Sequence, residues 1–169
     1  MIRPFSVLSR RLWLTLAVAV VSGMAPAAAP AQAIGGIPFV IDGDTLGFGE
    51  MQVRLYGIDA PEAEQTCPLL GSEAPIGAWA IQTLRRLIGR DEVICHPLSR
   101  PAQGHVAAKC RTMAIADLGR AMVMAGFAWD FKRQGHGIYA DDEAGARTRR
   151  LGVWAGEGKC QPPWDWRRR

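Results

Sequence analysis

The sequence predicts an α+β domain, and two observations lead to this class. Short apolar segments with the alternation typical of strands lie between residues 37 and 58 and again between residues 92 and 112. Segments with helical periodicity lie between and after them. Strands and helices that occur in blocks, rather than in regular βαβ alternation, are typical of α+β folds.

The first 33 residues are predicted to be a secretory signal peptide. Three arginines precede an apolar run over residues 12–21 that is too short to span a bilayer comfortably, and Ala31-Gln32-Ala33 matches an A-x-A cleavage site. Ala27-Ala28-Ala29 is an alternative cleavage site, and a retained anchor is the alternative interpretation. We therefore expect a periplasmic or secreted protein with no stable membrane association after cleavage.

Residues 34–158 are predicted to form one domain, followed by a tail over residues 159–169. Cleavage leaves about 136 residues, enough for a single hydrophobic core, and we expect a monomer. Removing three arginines and no acids from 20 basic and 16 acidic residues leaves a formal charge of +1. Generic attraction to nucleic acid through net charge is therefore poorly supported, and a defined site is needed.

The first strands surround an acidic turn. Residues 37–41 and 45–48 are predicted to be strands on either side of Asp42-Gly43-Asp44, and a third strand covers residues 51–58. A helix is predicted over residues 72–88, with Ser72 as its N-cap and Gly89 as its end. This order places the acidic turn and the end of the third strand early in the domain.

The next two strands, residues 92–98 and 105–112, are predicted to form a hairpin. A two-residue loop centred on Ala102 and Gln103 pairs residues whose numbers sum to 205. Cys95 then faces Cys110 within disulfide reach.

All four cysteines follow the signal peptide. An even number in an oxidising compartment favours two disulfides, and free buried thiols are the alternative. The hairpin register leads us to predict Cys95–Cys110, which leaves Cys67–Cys160.

Two further helices are predicted, over residues 117–125 with Asp117 as N-cap and over residues 140–151. Trp129 and Trp154 follow predicted helices, and we expect them in the core. The tail interleaves Trp164 and Trp166 with basic residues, which could hold single-stranded nucleic acid. A tail that docks on the domain is the preferred interpretation.

Two linked segments carry the chemistry. Val40-Ile41-Asp42-Gly43-Asp44-Thr45 is followed by Arg54-Leu55-Tyr56-Gly57-Ile58-Asp59-Ala60-Pro61-Glu62. They resemble the signature of the staphylococcal-type thermonuclease family, V-I-D-G-D-T and then R-L-x-x-(I/V)-D-(T/A)-P-E. The resemblance extends from Ile37 to Gly156 and implies the family's five-stranded OB-type β-barrel with three helices. It also implies hydrolysis of nucleic acid, DNA or RNA.

The resemblance assigns a role to each polar residue of these segments. Asp44, Asp59 and the carbonyl of Ala60 correspond to the family's Ca²⁺ ligands, which suits a cation that prefers oxygen donors. Glu62 corresponds to the general base and Arg54 to the first phosphate-binding arginine. Strict strand alternation places Arg54 and Asp59 on opposite faces, so their convergence requires a bend, for which Gly57 is suited.

His105 departs from the family pattern, in which an arginine makes the second phosphate contact at this position. Three interpretations stay open: His105 substitutes weakly as a catalytic residue, Arg100 binds substrate from across the hairpin, or the site is degenerate. We expect weak cleavage that increases in His105→Arg, because a preorganised cation stabilises the charge of a phosphoryl transition state. The alternatives to a nuclease are a non-catalytic binding module and a periplasmic accessory protein of polysaccharide export.

Overall fold

The computed structural model describes residues 32–69, 71–98, 105–156 and 160–169. The strands are β1 Ile34–Gly36, β2 Phe39–Asp42, β3 Thr45–Phe48, β4 Met51–Leu55, β5 Ile58–Asp59, β6 Cys67–Leu69, β7 Ser72–Ala74, β8 Val93–Pro97, β9 His105–Arg111 and β10 Trp129–Asp130. The helices are α1 Ile76–Ile88, α2 Leu118–Met124, α3 Lys132–Gly135, α4 Ala140–Thr148 and α5 Pro163–Trp166, with a 3₁₀ turn at Gly152–Trp154. The predicted signal peptide lies outside the described residues except for its last two positions.

The predicted α+β class is confirmed. A curled main sheet has the strand order β1-β8-β9-β4-β3-β2, in which β4 and β9 run parallel and the other neighbours antiparallel. The pairs β5–β10 and β6–β7 form two small antiparallel sheets. No described helix has the length and apolar character needed to cross a membrane.

The expected count of five barrel strands and three helices is not confirmed. The main sheet contains six strands, and the described residues form five α-helices. The three expected helices correspond to α1, α2 and α4. The other two, α3 and α5, have four residues each, which is too short for helical periodicity to be visible in a sequence.

The hairpin register and both predicted disulfides are present in the structure. Cys95 lies opposite Cys110 and His96 opposite Lys109, so the paired numbers sum to 205 as predicted. The disulfide Cys95–Cys110 joins Cα atoms 4.0 Å apart, and the Cα atoms of Cys67 and Cys160 are 5.1 Å apart. The second bond ties the C-terminal segment to the chain just after Glu62.

Several predicted boundaries were wrong. The helix predicted over residues 140–151 ends at Thr148, and two other errors lie close to the site. Residues 51–58 do not form one strand, because the chain turns at Tyr56 and Gly57, where Gly57 has a φ of 82°. Ser72 does not cap a helix; it belongs to β7, and α1 begins after Pro75. The pairing of β6 with β7 explains the second error, since residues before the proline satisfy their hydrogen bonds in a hairpin.

Two clusters of buried side chains form the core. The larger cluster packs the inner face of the sheet against α1 and α2, with Leu46, Val53, Leu84 and Met122 fully buried. The smaller cluster contains Cys67, Trp129, Ala146, Trp154 and Cys160. Trp129 and Trp154 are 3% and 7% exposed, so both predicted core tryptophans lie in this second cluster.

Candidate active site

Asp44 lies at the turn between β2 and β3 with its carboxylate buried. One oxygen accepts hydrogen bonds from the Ala60 amide at 3.1 Å and from Arg54 Nη2 at 3.0 Å. The other accepts from the Thr45 hydroxyl at 2.8 Å. Asp44 therefore ties the acidic turn to the segment that follows β5.

Arg54 joins Asp44 to Asp59. Its Nη2 donates to Asp44 Oδ2 at 3.0 Å and to Asp59 Oδ1 at 2.5 Å. The turn at Gly57 makes this possible, because it reverses the strand alternation that would otherwise separate the two side chains. The structure thus brings Arg54 and Asp59 together, through the bend that their spacing required.

The helix α3 holds this bend in place. The side-chain oxygen of Gln134 accepts from the Gly57 amide at 2.9 Å, and its carbonyl accepts from the Tyr56 hydroxyl at 2.6 Å. The Gly57 carbonyl accepts from the Phe131 amide at 2.9 Å. These bonds satisfy the backbone of a non-regular segment and position Asp59 relative to Arg54.

Burial dominates the electrostatics of the acidic residues. The Asp59 side chain is fully buried, and desolvation raises the pKa of its carboxyl although Arg167 and Arg54 oppose the shift. Burial, together with repulsion from Asp44 and Glu62, raises the pKa of Asp42 to about 6. A buried cluster of carboxylates of this kind requires nearby cations to stay ionised.

The second cation of the cluster is Arg167, which the sequence did not predict at this site. Its Nη2 donates to Asp59 Oδ2 at 2.6 Å, and its Nη1 donates to Asp59 Oδ1 at 3.2 Å and to Glu62 Oε1. The disulfide Cys67–Cys160 was the available indication, since it places the tail beside Glu62. No local pattern indicates which of the three terminal arginines enters the site.

Glu62 lies in a tight turn that packs on α1. Its side chain is 32% exposed, and its backbone carbonyl accepts from the amide of buried Gln65 at 2.8 Å. Gly77 approaches so closely that a Cβ atom there would lie 1.7 Å from the Glu62 carbonyl oxygen. The turn therefore presents a solvent-accessible carboxylate on a fixed backbone.

His105 lies at the start of β9, exposed and opposite Gln52 in the parallel ladder. It therefore shares a face of the sheet with Arg54, one strand away. Within the described ranges, no ion pair of His105 is present. The predicted substrate-binding residue Arg100 lies outside the described residues.

The predicted Ca²⁺ ligands are partly compatible with a metal. Asp44 and Asp59 offer hard oxygen donors, and both contact one Arg54 nitrogen, so the two carboxylates are close together. In the described part of the chain, however, no group of three or more acidic, His or Cys side chains is arranged to hold an ion. A cation here would need carbonyl or water oxygens in addition to the two aspartates.

Comparisons with known proteins identify sequences that are similar to this chain. A family model described as "Staphylococcal nuclease homologue" matches residues 52–156, a stretch that contains Arg54, Asp59 and Glu62 and ends before Arg167. The chain is 28% identical to "Succinoglycan biosynthesis protein ExoI" of Rhizobium meliloti (strain 1021), over 75% of this chain and 68% of that protein. It is 33% identical to "Probable endonuclease LCL3" of Pyricularia oryzae, over 69% of this chain and 48% of that protein.

Proposed function

Because the chain belongs to the staphylococcal nuclease family, we propose that it is an exported endonuclease that hydrolyses phosphodiester bonds of DNA or RNA. The observation that carries this proposal is the contact chain from Asp44 through Arg54 and Asp59 to Arg167 and Glu62. It combines an accessible carboxylate with a buried acidic pair and two arginines. In general-base hydrolysis of an anionic substrate, such a carboxylate can activate water and such cations can stabilise the developing charge.

In this mechanism Glu62 removes a proton from the attacking water. The water oxygen forms a bond to phosphorus, the bond from phosphorus to the leaving oxygen breaks, and the leaving oxygen takes a proton from solvent. Arg54 stabilises the charge that develops on the non-bridging oxygens, because its exposed side (44% exposed) can reach a bound phosphate while Asp44 and Asp59 orient it. The products are a phosphomonoester and an alcohol.

We further propose that the site uses Ca²⁺, held by Asp44, Asp59 and the carbonyl of Ala60. When bound, such an ion supplies positive charge to the non-bridging phosphate oxygens. The support is chemical, since both carboxylates are buried hard oxygen donors that lie close enough to contact one Arg54 nitrogen. Asp44→Ala should therefore abolish Ca²⁺ binding measured by calorimetry, and unchanged binding would contradict the ligand assignment.

The decisive experiment compares Glu62→Gln with Glu64→Gln. Glu64 is exposed and lies two positions away, so the control makes the same chemical change outside the proposed site. With single-stranded DNA or RNA and Ca²⁺, Glu62→Gln should lower kcat by about 10²- to 10⁴-fold, whereas Glu64→Gln should not change it. Equal activity of both variants, or activity that persists with a chelator, would contradict the proposed mechanism.

A non-catalytic accessory role is the second candidate, and one contact favours it. Arg167 engages the Glu62 carboxylate that would have to accept a proton. If this pair persists with substrate bound, the domain binds nucleic acid or another polyanion without cleaving it. Oligonucleotide binding by a protein that shows no cleavage would support this candidate.

A further inference from the structure

We propose that Arg167, carried into the site by the C-terminal segment, is the second phosphate-binding residue of this enzyme. The inference rests on the proposed function and names the residue that completes its cation pair. Arg167 lies in the C-terminal segment, outside the stretch that matches the family model. Its position, contacts and attachment support the proposal independently.

The position of Arg167 is suited to a phosphate. The guanidinium contacts both Asp59 oxygens, at 2.6 and 3.2 Å, and also Glu62. A water molecule activated by Glu62 must lie next to phosphorus, so a cation in contact with Glu62 is within reach of the phosphate oxygens. The planar fork that binds a carboxylate in a bidentate manner also matches two phosphate oxygens.

The C-terminal segment is attached firmly enough to position this side chain. The disulfide Cys67–Cys160 joins it to β6, and the Gln161 carbonyl accepts from buried Gln65 Nε2 at 2.7 Å. Trp164 packs on Trp129 and Phe131, with ring centroids 6.4 and 5.8 Å apart. Since Trp129 pairs with Asp59 across β10 and β5, the same strand supports both partners of the Arg167–Asp59 ion pair.

In the absence of substrate, the two carboxylates take the place of phosphate oxygens around Arg167. A phosphodiester offers anionic oxygens of the same kind, and transfer of the guanidinium to it would free Glu62 for water and Asp59 for a cation. The exchange should change the affinities for Ca²⁺ and for a phosphodiester in opposite directions. Arg167 should oppose Ca²⁺ binding by the free protein and favour phosphodiester binding.

The test measures these two affinities separately in Arg167→Ala and in the matched control Arg168→Ala. Arg168 is 64% exposed and pairs with Asp165 at 3.4 Å, away from the acidic cluster. The probes are Ca²⁺ alone, by calorimetry, and a cleavage-resistant phosphorothioate oligonucleotide with Ca²⁺, by fluorescence anisotropy. Arg167→Ala should bind Ca²⁺ more tightly and the oligonucleotide about 10- to 100-fold more weakly, with Arg168→Ala unchanged.

Three outcomes would overturn the proposal, and they differ from one another. Tighter binding of both probes, with faster cleavage, would identify Arg167 as an inhibitory contact while leaving the nuclease intact. Weaker binding of both would indicate a purely structural role, and Arg167→Lys should then not restore either affinity, because lysine lacks the planar fork that holds both Asp59 oxygens. A parent protein that neither binds nor cleaves the oligonucleotide would contradict the proposed function itself.

Discussion

Arg54 contacts both Asp44, ten positions before it, and Asp59, five positions after it. The contact with Asp59 is possible because the chain turns between the two residues. The residues between Arg54 and Asp59 include Gly57, whose positive φ of 82° is a conformation that L side chains rarely adopt. The convergence of Asp44, Arg54 and Asp59 was therefore expected from the family resemblance, whereas strand spacing alone placed Arg54 and Asp59 on opposite faces. Arg167 was not, because it depends on a contact across 105 positions of sequence with Glu62.

The relation between His105 and Arg167 can be measured in a double-mutant cycle. His105→Arg should increase kcat/KM of the parent modestly and that of Arg167→Ala by a larger factor. The reason is that both positions would then supply a cation to the same phosphate, and shared partners make effects non-additive. Equal increases in both backgrounds would show that the two positions do not serve one phosphate.

At the scale of elements, the turn that carries Glu62 depends on its fit to α1. Only glycine fits at position 77, because a Cβ atom there would lie 1.7 Å from the Glu62 carbonyl oxygen. Such a fit was not visible in the sequence, where the helix was expected to begin earlier. Pro75 and the hairpin of β6 and β7 set the actual start of α1.

Gly77→Ala should therefore lower both stability and kcat, because either α1 or the Glu62 turn must move. We expect a loss of about 1–3 kcal/mol in the free energy of unfolding, typical of overpacking. Gly145→Ala in α4 is the matched control, since a Cβ there meets nothing within 4 Å. It should stabilise by about 0.5–1 kcal/mol without changing kcat. Urea unfolding and steady-state kinetics measure both, and a neutral Gly77→Ala would contradict the packing argument.

At the scale of the whole molecule, two disulfides close loops of very different length. The sequence separations are 93 for Cys67–Cys160 and 15 for Cys95–Cys110. The Cys95–Cys110 bond was predicted from the strand register, and the Cys67–Cys160 bond was predicted because these were the two remaining cysteines. What elimination did not reveal is that the longer bond also positions a side chain in the site.

Removing each bond as a double alanine variant should separate these two roles. Loop entropy predicts a loss of about 4–5 kcal/mol for Cys67–Cys160 and about 3 kcal/mol for Cys95–Cys110. Oligonucleotide binding should weaken only when Cys67–Cys160 is removed, measured under conditions where both variants remain folded. Equal weakening in the two variants would indicate general destabilisation instead.

The modest net charge predicted for the chain after signal-peptide cleavage limits the expected salt dependence of binding. If Arg54 and Arg167 are the two phosphate contacts, the slope of log K against log salt should be about −1.4 for a single strand. Arg167→Ala should halve this slope, and Arg168→Ala should not change it. A slope several times steeper would indicate an extended basic surface rather than a defined site.

Because of the Cys67–Cys160 bond, the compartment in which the protein is expressed should affect its properties. Thiols stay reduced in most bacterial cytoplasms and are oxidised in the periplasm. Protein produced in the two compartments would have one sequence, yet only the oxidised form would hold the segment that carries Arg167 by a covalent bond. Preparations from cytoplasm and periplasm should accordingly differ in oligonucleotide affinity, and oxidative refolding should bring the cytoplasmic material to the periplasmic value.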